Sequence, residues 1–120
     1  LKFINQTADF GCDKIEFKMM RGHTENMMIP IIHHDSRPII YCADLIASSN
    51  HLKLPYVMAY DIHPMEVIKE KASMLEYALK ENALLFFEHD AFVECASVHQ
   101  TPKGILINET FKFAVELTAL

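Results

Sequence analysis

The sequence predicts a single α+β domain over residues 1–120, a mostly antiparallel or mixed sheet with one main helix at about 64–82. Three observations carry this. The chain has 120 residues, 51% of them hydrophobic, which suffices for one core and not for two. Short segments with the period-2 alternation of strands recur along most of its length. A single stretch has helical spacing of its apolar residues.

Residues 1–7 and 13–20 read as strands separated by a turn around Asp9-Phe10-Gly11. In the second, Ile15, Phe17 and Met19 alternate with Glu16 and Lys18, as in a half-buried strand. Residues 27–33 and 38–43 flank the polar turn His34-Asp35-Ser36-Arg37 and predict a hairpin. Pro30 lacks an amide proton, so the first of these strands is expected at an edge or a bulge. Residues 45–63 read as a long loop. Pro64 suits the first position of a helix. Met65, Ile68, Ala72, Leu75 and Leu79 then recur at spacings of three and four as its apolar stripe, and Glu76 and Lys80 are expected to pair on the opposite side. Leu84 to Phe87 reads as a fully buried strand. Residues 93–99 and 105–109 predict a second hairpin across Thr101-Pro102-Lys103-Gly104, and 111–117 is again strand-like, with a short helix as the alternative.

Composition narrows the function. Eight Phe and the hydrophobic fraction argue against disorder. No apolar run approaches the roughly 18 residues of a membrane-spanning helix. A net charge of -5 gives no support to nucleic acid or an anionic membrane as partner. No leader pattern is visible. The three cysteines, Cys12, Cys42 and Cys95, are odd in number and far apart, so neither a disulfide framework nor a thiol zinc site is expected. Cys42 and Cys95 read as buried small hydrophobes. A reducing, cytoplasmic setting fits this usage. The unusual count is seven His, which points to metal or acid/base chemistry.

Strand direction sorts the histidines. His23 follows the strand 13–20, and His89 follows the strand at 84–88. If the hairpin 27–43 is in simple register, Asp44 returns to the level of residues 26–27. His23, Asp44 and His89 are therefore expected on one rim of the sheet, on loops where sites are commonly built. His33, His34 and His99 belong to the opposite end and are expected to be solvated, and His63 reads as a helix N-cap. Two imidazoles and a carboxylate suit Zn²⁺, with Mn²⁺ or Fe as alternatives. The bland alternative is three ordinary strand-end polar residues.

Gly22-His23-Thr24, Cys42-Ala43-Asp44-Leu45 and Phe86-Phe87-Glu88-His89-Asp90 resemble, in order and spacing, the last three metal-binding motifs of the metallo-β-lactamase-fold hydrolases. The stretch from Asp44-Leu45 through His51-Leu52, Pro55-Tyr56 and Tyr60-Asp61 to His89-Asp90 also resembles a bacterial subgroup of that superfamily. The likeness covers nearly the whole chain but only the second half of the family's sequence. It implies the C-terminal half of an αββα sandwich. His23 would complete a first metal site, His89 a second, and Asp44 would bridge the two ions. The family's His-x-His-x-Asp-His motif has no counterpart in these residues, and the Pro-Gly-His that commonly follows Gly-His-Thr is here Glu25-Asn26-Met27.

The resemblance thus implies a fragment of a metal-dependent hydrolase, inactive alone, that uses metal-activated water on an ester, thioester, lactone, amide or phosphodiester. Leu1 in place of Met fits a chain whose first half is missing. Candidate contacts to a small-molecule substrate are His51, Tyr56 and Tyr60. Alone, the three ligands would form at most one weak mononuclear site. The alternative is a non-catalytic, self-associating chain with little or no metal, because a lone half exposes an apolar face. Either the N-terminal half or a second copy is the expected partner.

Overall fold

The computed structural model describes residues 14–34 and 36–112. These form one six-stranded sheet in sequence order: β1 (Ile15–Met20), β2 (Met27–Ile32), β3 (Ile39–Tyr41), β4 (Leu84–Phe86), β5 (Cys95–Thr101) and β6 (Gly104–Phe111). All neighbours pair antiparallel except β3 and β4, which run parallel, with Ile39, Ile40 and Tyr41 opposite Leu84, Leu85 and Phe86. A parallel pair needs a long crossover. Here it consists of residues 42–63, which include a 3-10 turn Ser49–Leu52, and the helix α1 (Pro64–Lys80). The fold is α+β with a mixed sheet and one main helix, as expected. The first expected strand and its turn, Cys12, Asp35 and residues 113–117 lie outside the described residues.

Both hairpins form. Ile31 faces Ile40 and Ile32 faces Ile39, a register that extended to Asp44 reaches residue 27. The second hairpin closes at Thr101–Gly104, where Gly104 adopts φ 108, a left-handed conformation that suits glycine. Pro30 is a correction. It lies in an internal strand, opposite Phe17, without a bulge in that pairing. The amide of His33 donates to Lys14, so odd-numbered amides of β2 face β1 and the nitrogen of Pro30 faces β3. The β2–β3 ladder includes only Ile31 and Ile32 and stops at Pro30, which has no amide to donate, so the proline sits at the end of that ladder and leaves the β1 side intact.

α1 begins with Pro64 and ends at Glu81, within a residue or two of expectation. Its buried face is a second correction: Val67, Lys71, Met74, Leu75 and Ala78 pack inward, while Met65 is exposed and Ile68, Ala72 and Leu79 are half-buried. The face is shifted by about one residue, and Ala72 and Leu75 line an apolar cavity of about 460 Å3 between α1, Leu52–Pro55 and the β5–β6 hairpin. Lys80 stands 3.6 Å from Glu81 instead of pairing with Glu76. His63 is the N-cap residue, yet it caps with no side-chain hydrogen bond. The long loop is no surface excursion: Leu45, Ile46 and Leu52 are core residues packed with Ile29, Ile31, Ile40 and Leu85, and Ala47 is buried.

Candidate metal centre

Strand direction assembles the site. β1 and β3 both run antiparallel to β2, and β4 runs parallel to β3, so the C-terminal ends of β1, β3 and β4 share one rim. His23, Asp44 and His89 each stand three residues beyond those ends. His23 Nε2 lies 3.5 Å from Asp44 Oδ2, and His89 Nε2 lies 3.1 Å from Asp44 Oδ1. The three residues singled out from the sequence thus come together. Each imidazole addresses a different oxygen of one carboxylate.

Local structure holds each of them. Asp44 follows Ala43, whose φ of 43 turns the chain sharply after β3, and the amide of Cys42 donates to Phe86 across the parallel pair. His89 is tethered by its own amide, which donates to Ala47. Next to it, Asp90 accepts from the hydroxyl and amide of Ser49 and from the amides of Phe92 and Val93. Burial alone would raise the Asp90 pKa, but the Ser49 hydroxyl and the three amides hold it near 2. His23 is fixed through its other nitrogen: Nδ1 stands 2.8 Å from Asp61 Oδ1, while Asp61 Oδ2 accepts the amide of Met58. A carboxylate only accepts, so the shared proton sits on Nδ1, which leaves Nε2 to face Asp44.

Asp61, Tyr41 and Lys71 are residues that sequence reasoning missed. The Tyr41 hydroxyl is pushed up to about 12, first by burial, then by its hydrogen bond to the Glu88 carboxylate and the charges of Glu88 and Asp44. Lys71 is fully buried, and its Nζ donates to the carbonyls of His51, Lys53 and Tyr56 at 2.9, 3.0 and 2.7 Å. Burial draws its pKa down to about 8 against the opposing charge of Asp61. A single lysine one turn from Val67 and from Met74 on the inner face was the available signal. For Asp61 there was none, since its role depends on a loop meeting a strand end.

Beside the rim lies a cleft of about 480 Å3 lined by His89, His51, Tyr60, Ser48, Val57 and Met58, among others. His51 Nδ1 and Ser48 Oγ are 2.8 Å apart. Tyr60 meets the His23 ring edge-on at 6.2 Å. Tyr56 is not in this cleft; it lines a different pocket with Leu106 and Ile107, and Lys53 Nζ sits over its ring at 5.3 Å. Of the distal histidines, His33 stands 3.4 Å from Glu16, and His34 and His99 are half-buried with Nδ1 atoms enclosed, not solvated.

Donor atoms that share one tetrahedral zinc ion at ~2.0–2.1 Å stand ~3.3 Å apart, and the two nitrogen–oxygen separations bracket that figure. The residues fit two ions bridged by one carboxylate. They do not fit one ion, because the imidazoles approach opposite oxygens. Among the described residues no three His, Cys, Asp or Glu form a group able to hold a metal, so a single three-ligand site is not present. Cys42 and Cys95 are buried, as small hydrophobes should be, and burial pushes the Cys42 thiol up, away from reactivity. No helix among the described residues is long and apolar enough to cross a membrane.

No protein-family model and no curated protein matches the chain. Solved structures do. A probable metal-dependent hydrolase from Staphylococcus aureus aligns with 91% of this chain and 40% of its own, with a TM-score of 0.76 at 21% identity. AidC, a dizinc quorum-quenching lactonase in complex with a product, aligns with 92% of this chain and 38% of its own, with a TM-score of 0.74 at 20% identity. AbOPH, a hydrolase in the β-lactamase superfamily, aligns with 80% and 35%, with a TM-score of 0.65 at 19% identity. The chain therefore spans between a third and two fifths of the length of these structures. On that evidence of shape, and over that part of its length, the chain has the fold of the metallo-β-lactamase-superfamily hydrolases.

Proposed function

We propose that this chain forms one side of the dinuclear metal centre of a hydrolase, with Asp44 bridging two ions, His23 belonging to the first and His89 to the second. The observation that supports it is the Asp44 carboxylate with one imidazole at each oxygen. Zn²⁺ is the favoured ion, since AidC is a dizinc enzyme. Two donors per ion fall short of the usual three protein ligands of a catalytic zinc, so this chain needs the family's His-x-His-x-Asp-His segment beside it.

Bound ions would polarise the substrate and lower the pKa of water toward neutrality. The chain's own residues supply the rest. Asp61 keeps the His23 proton on Nδ1. Asp44 would offer one carboxylate oxygen beside each imidazole. His51 and Tyr60, which line the cleft with His89, orient the substrate, and the Tyr60 hydroxyl is the donor for a developing oxyanion. Among ester, thioester, lactone, amide and phosphodiester substrates, a lactone is favoured because AidC is a lactonase.

The test is elemental analysis of the chain after Zn²⁺ loading, alone and mixed with a separately expressed N-terminal half carrying His-x-His-x-Asp-His, followed by a lactone hydrolysis assay. The expected result is little zinc alone, two ions per complex, and hydrolysis that Asp44→Ala abolishes. Stoichiometric zinc in the chain alone, or full activity in the Asp44→Ala complex, would sink the assignment.

A further inference from the structure

We infer that Glu70 and Lys71, consecutive residues of opposite charge on α1, are the positioning residues of this centre: Glu70 sets the loop that carries His23, and Lys71 sets the turn that carries His51. The inference rests on the proposed metal-centre reading for its purpose, though its geometry stands apart from it.

The Glu70 carboxylate accepts the amides of Arg21 at 2.6 Å and Gly22 at 3.1 Å, the two amides immediately before His23. Bonds from a charged acceptor are stronger than those between neutral groups. The same three residues are held from their other side. The Gly22 carbonyl accepts the amide of His63 at 2.8 Å, and the His23 carbonyl accepts that of Ile62 at 3.2 Å. One turn earlier on α1, Val67 lies so close to Gly22 that a Cβ there would stand 2.5 Å from the Val67 nitrogen. The backbone from Arg21 to His23 is therefore clamped between α1 and the segment that leads into it. That clamp aims Nδ1 at Asp61 and Nε2 at Asp44.

Lys71 makes the complementary grip. An ammonium has three protons, and all three are used on the carbonyls of His51, Lys53 and Tyr56. An apolar residue would occupy this inner position of α1 without the penalty of burying a charge. What it cannot do is gather three carbonyls of an irregular turn. The turn so gathered carries His51, whose ring is then set by Ser48. Consecutive helix residues diverge by ~100°, so one helix reaches two loops on different sides.

Imidazole nitrogen–proton NMR spectra test this in the chain itself, for the wild type and for Glu70→Ala, Glu70→Gln, Lys71→Met and Lys71→Arg. In the wild type His23 is expected as one tautomer with the proton on Nδ1. Glu70→Ala should give a mixture. Glu70→Gln should restore part of the preference, because its amide oxygen still accepts from one backbone amide. Lys71→Met should alter the His51 signals more than those of His23, which it reaches only through the Asp61 charge, with Lys71→Arg intermediate. In the complex with the N-terminal half, Glu70→Ala should weaken Zn²⁺ binding ~10–100-fold, the range for losing an outer-shell partner. A Glu70→Ala chain that melts earlier yet keeps the wild-type His23 tautomer would overturn the inference. So would a Lys71→Met chain in which both histidines change alike. If the wild-type complex takes up no Zn²⁺, the metal-centre reading falls, while the imidazole spectra still decide the positioning inference.

Discussion

Ala43 holds φ 43 directly before the carboxylate that both imidazoles address. For a residue with a Cβ that conformation costs roughly 1–2 kcal/mol, and glycine adopts it freely. Ala43→Gly is therefore expected to raise the unfolding free energy by up to about 1 kcal/mol in denaturant titration, with the Asp44 contacts intact. An unchanged or lower stability would mean that Ala43 is not held in the left-handed region. Lys71 offers a second test at this scale. Its pKa in the folded chain is about 8 against an ordinary 10.5. Between those values the unfolded chain holds a proton that the folded chain has released, so stability rises with pH across that window. The penalty of the buried charge is fully present below about 8. The difference in unfolding free energy between wild type and Lys71→Met, followed from pH 7 to 11, should grow in favour of the wild type. At pH 7 the variant, with three carbonyls deprived of their donor, is expected to be about 1–3 kcal/mol less stable. A flat difference across that range would contradict the depressed pKa.

At the scale of elements, α1 and the loop before it organise the rim. Gly22 is needed for space and not for conformation: any Cβ would meet the Val67 nitrogen at 2.5 Å and Cγ2 at 2.6 Å, and helix backbone cannot step aside as a flexible side chain can. Gly22→Ala is expected to cost about 1–3 kcal/mol as an overpacked contact, seen as a lower melting temperature together with altered His23 imidazole signals. Full stability in this variant would show that α1 is free to slide. How far the sequence disclosed these elements follows from their physics. Strands and hairpins were legible because alternation and turn residues are local properties. The inner face of α1 is displaced by about one residue, because the turn at 51–56 draws Lys71 inward, which no periodicity announces. A missing ladder bond at Pro30 predicts an edge or a bulge, and only the pairing shows that the proline instead ends the short ladder to β3.

For the molecule as a whole, the sheet has two unequal faces. Lys18 sits over the Tyr77 ring of α1 at 4.0 Å, which places the even-numbered residues of β1 on the helix side. Met19, Met28 and Ile32 therefore look the other way, and Met28 is exposed. We propose that this apolar face receives the N-terminal half of the hydrolase, or a second copy when that half is absent. Light scattering at micromolar concentration should then report a species larger than one chain, and Met28→Glu should shift it toward monomer. A monodisperse monomer in the wild type would count against this pairing.

What the sequence determined by itself was the order of strands and helix and the three strand-end residues His23, Asp44 and His89. Periodicity and strand direction are written residue by residue, and three strands running the same way must finish at one rim. The tertiary structure alone decided the rest. It set the imidazoles on opposite oxygens of Asp44, an arrangement that strand direction alone does not announce. It also recruited Asp61 and Lys71 from positions whose neighbours in sequence give them no role, since a hydrogen bond over 38 residues, or three carbonyls gathered by one ammonium, exists only once the chain has folded.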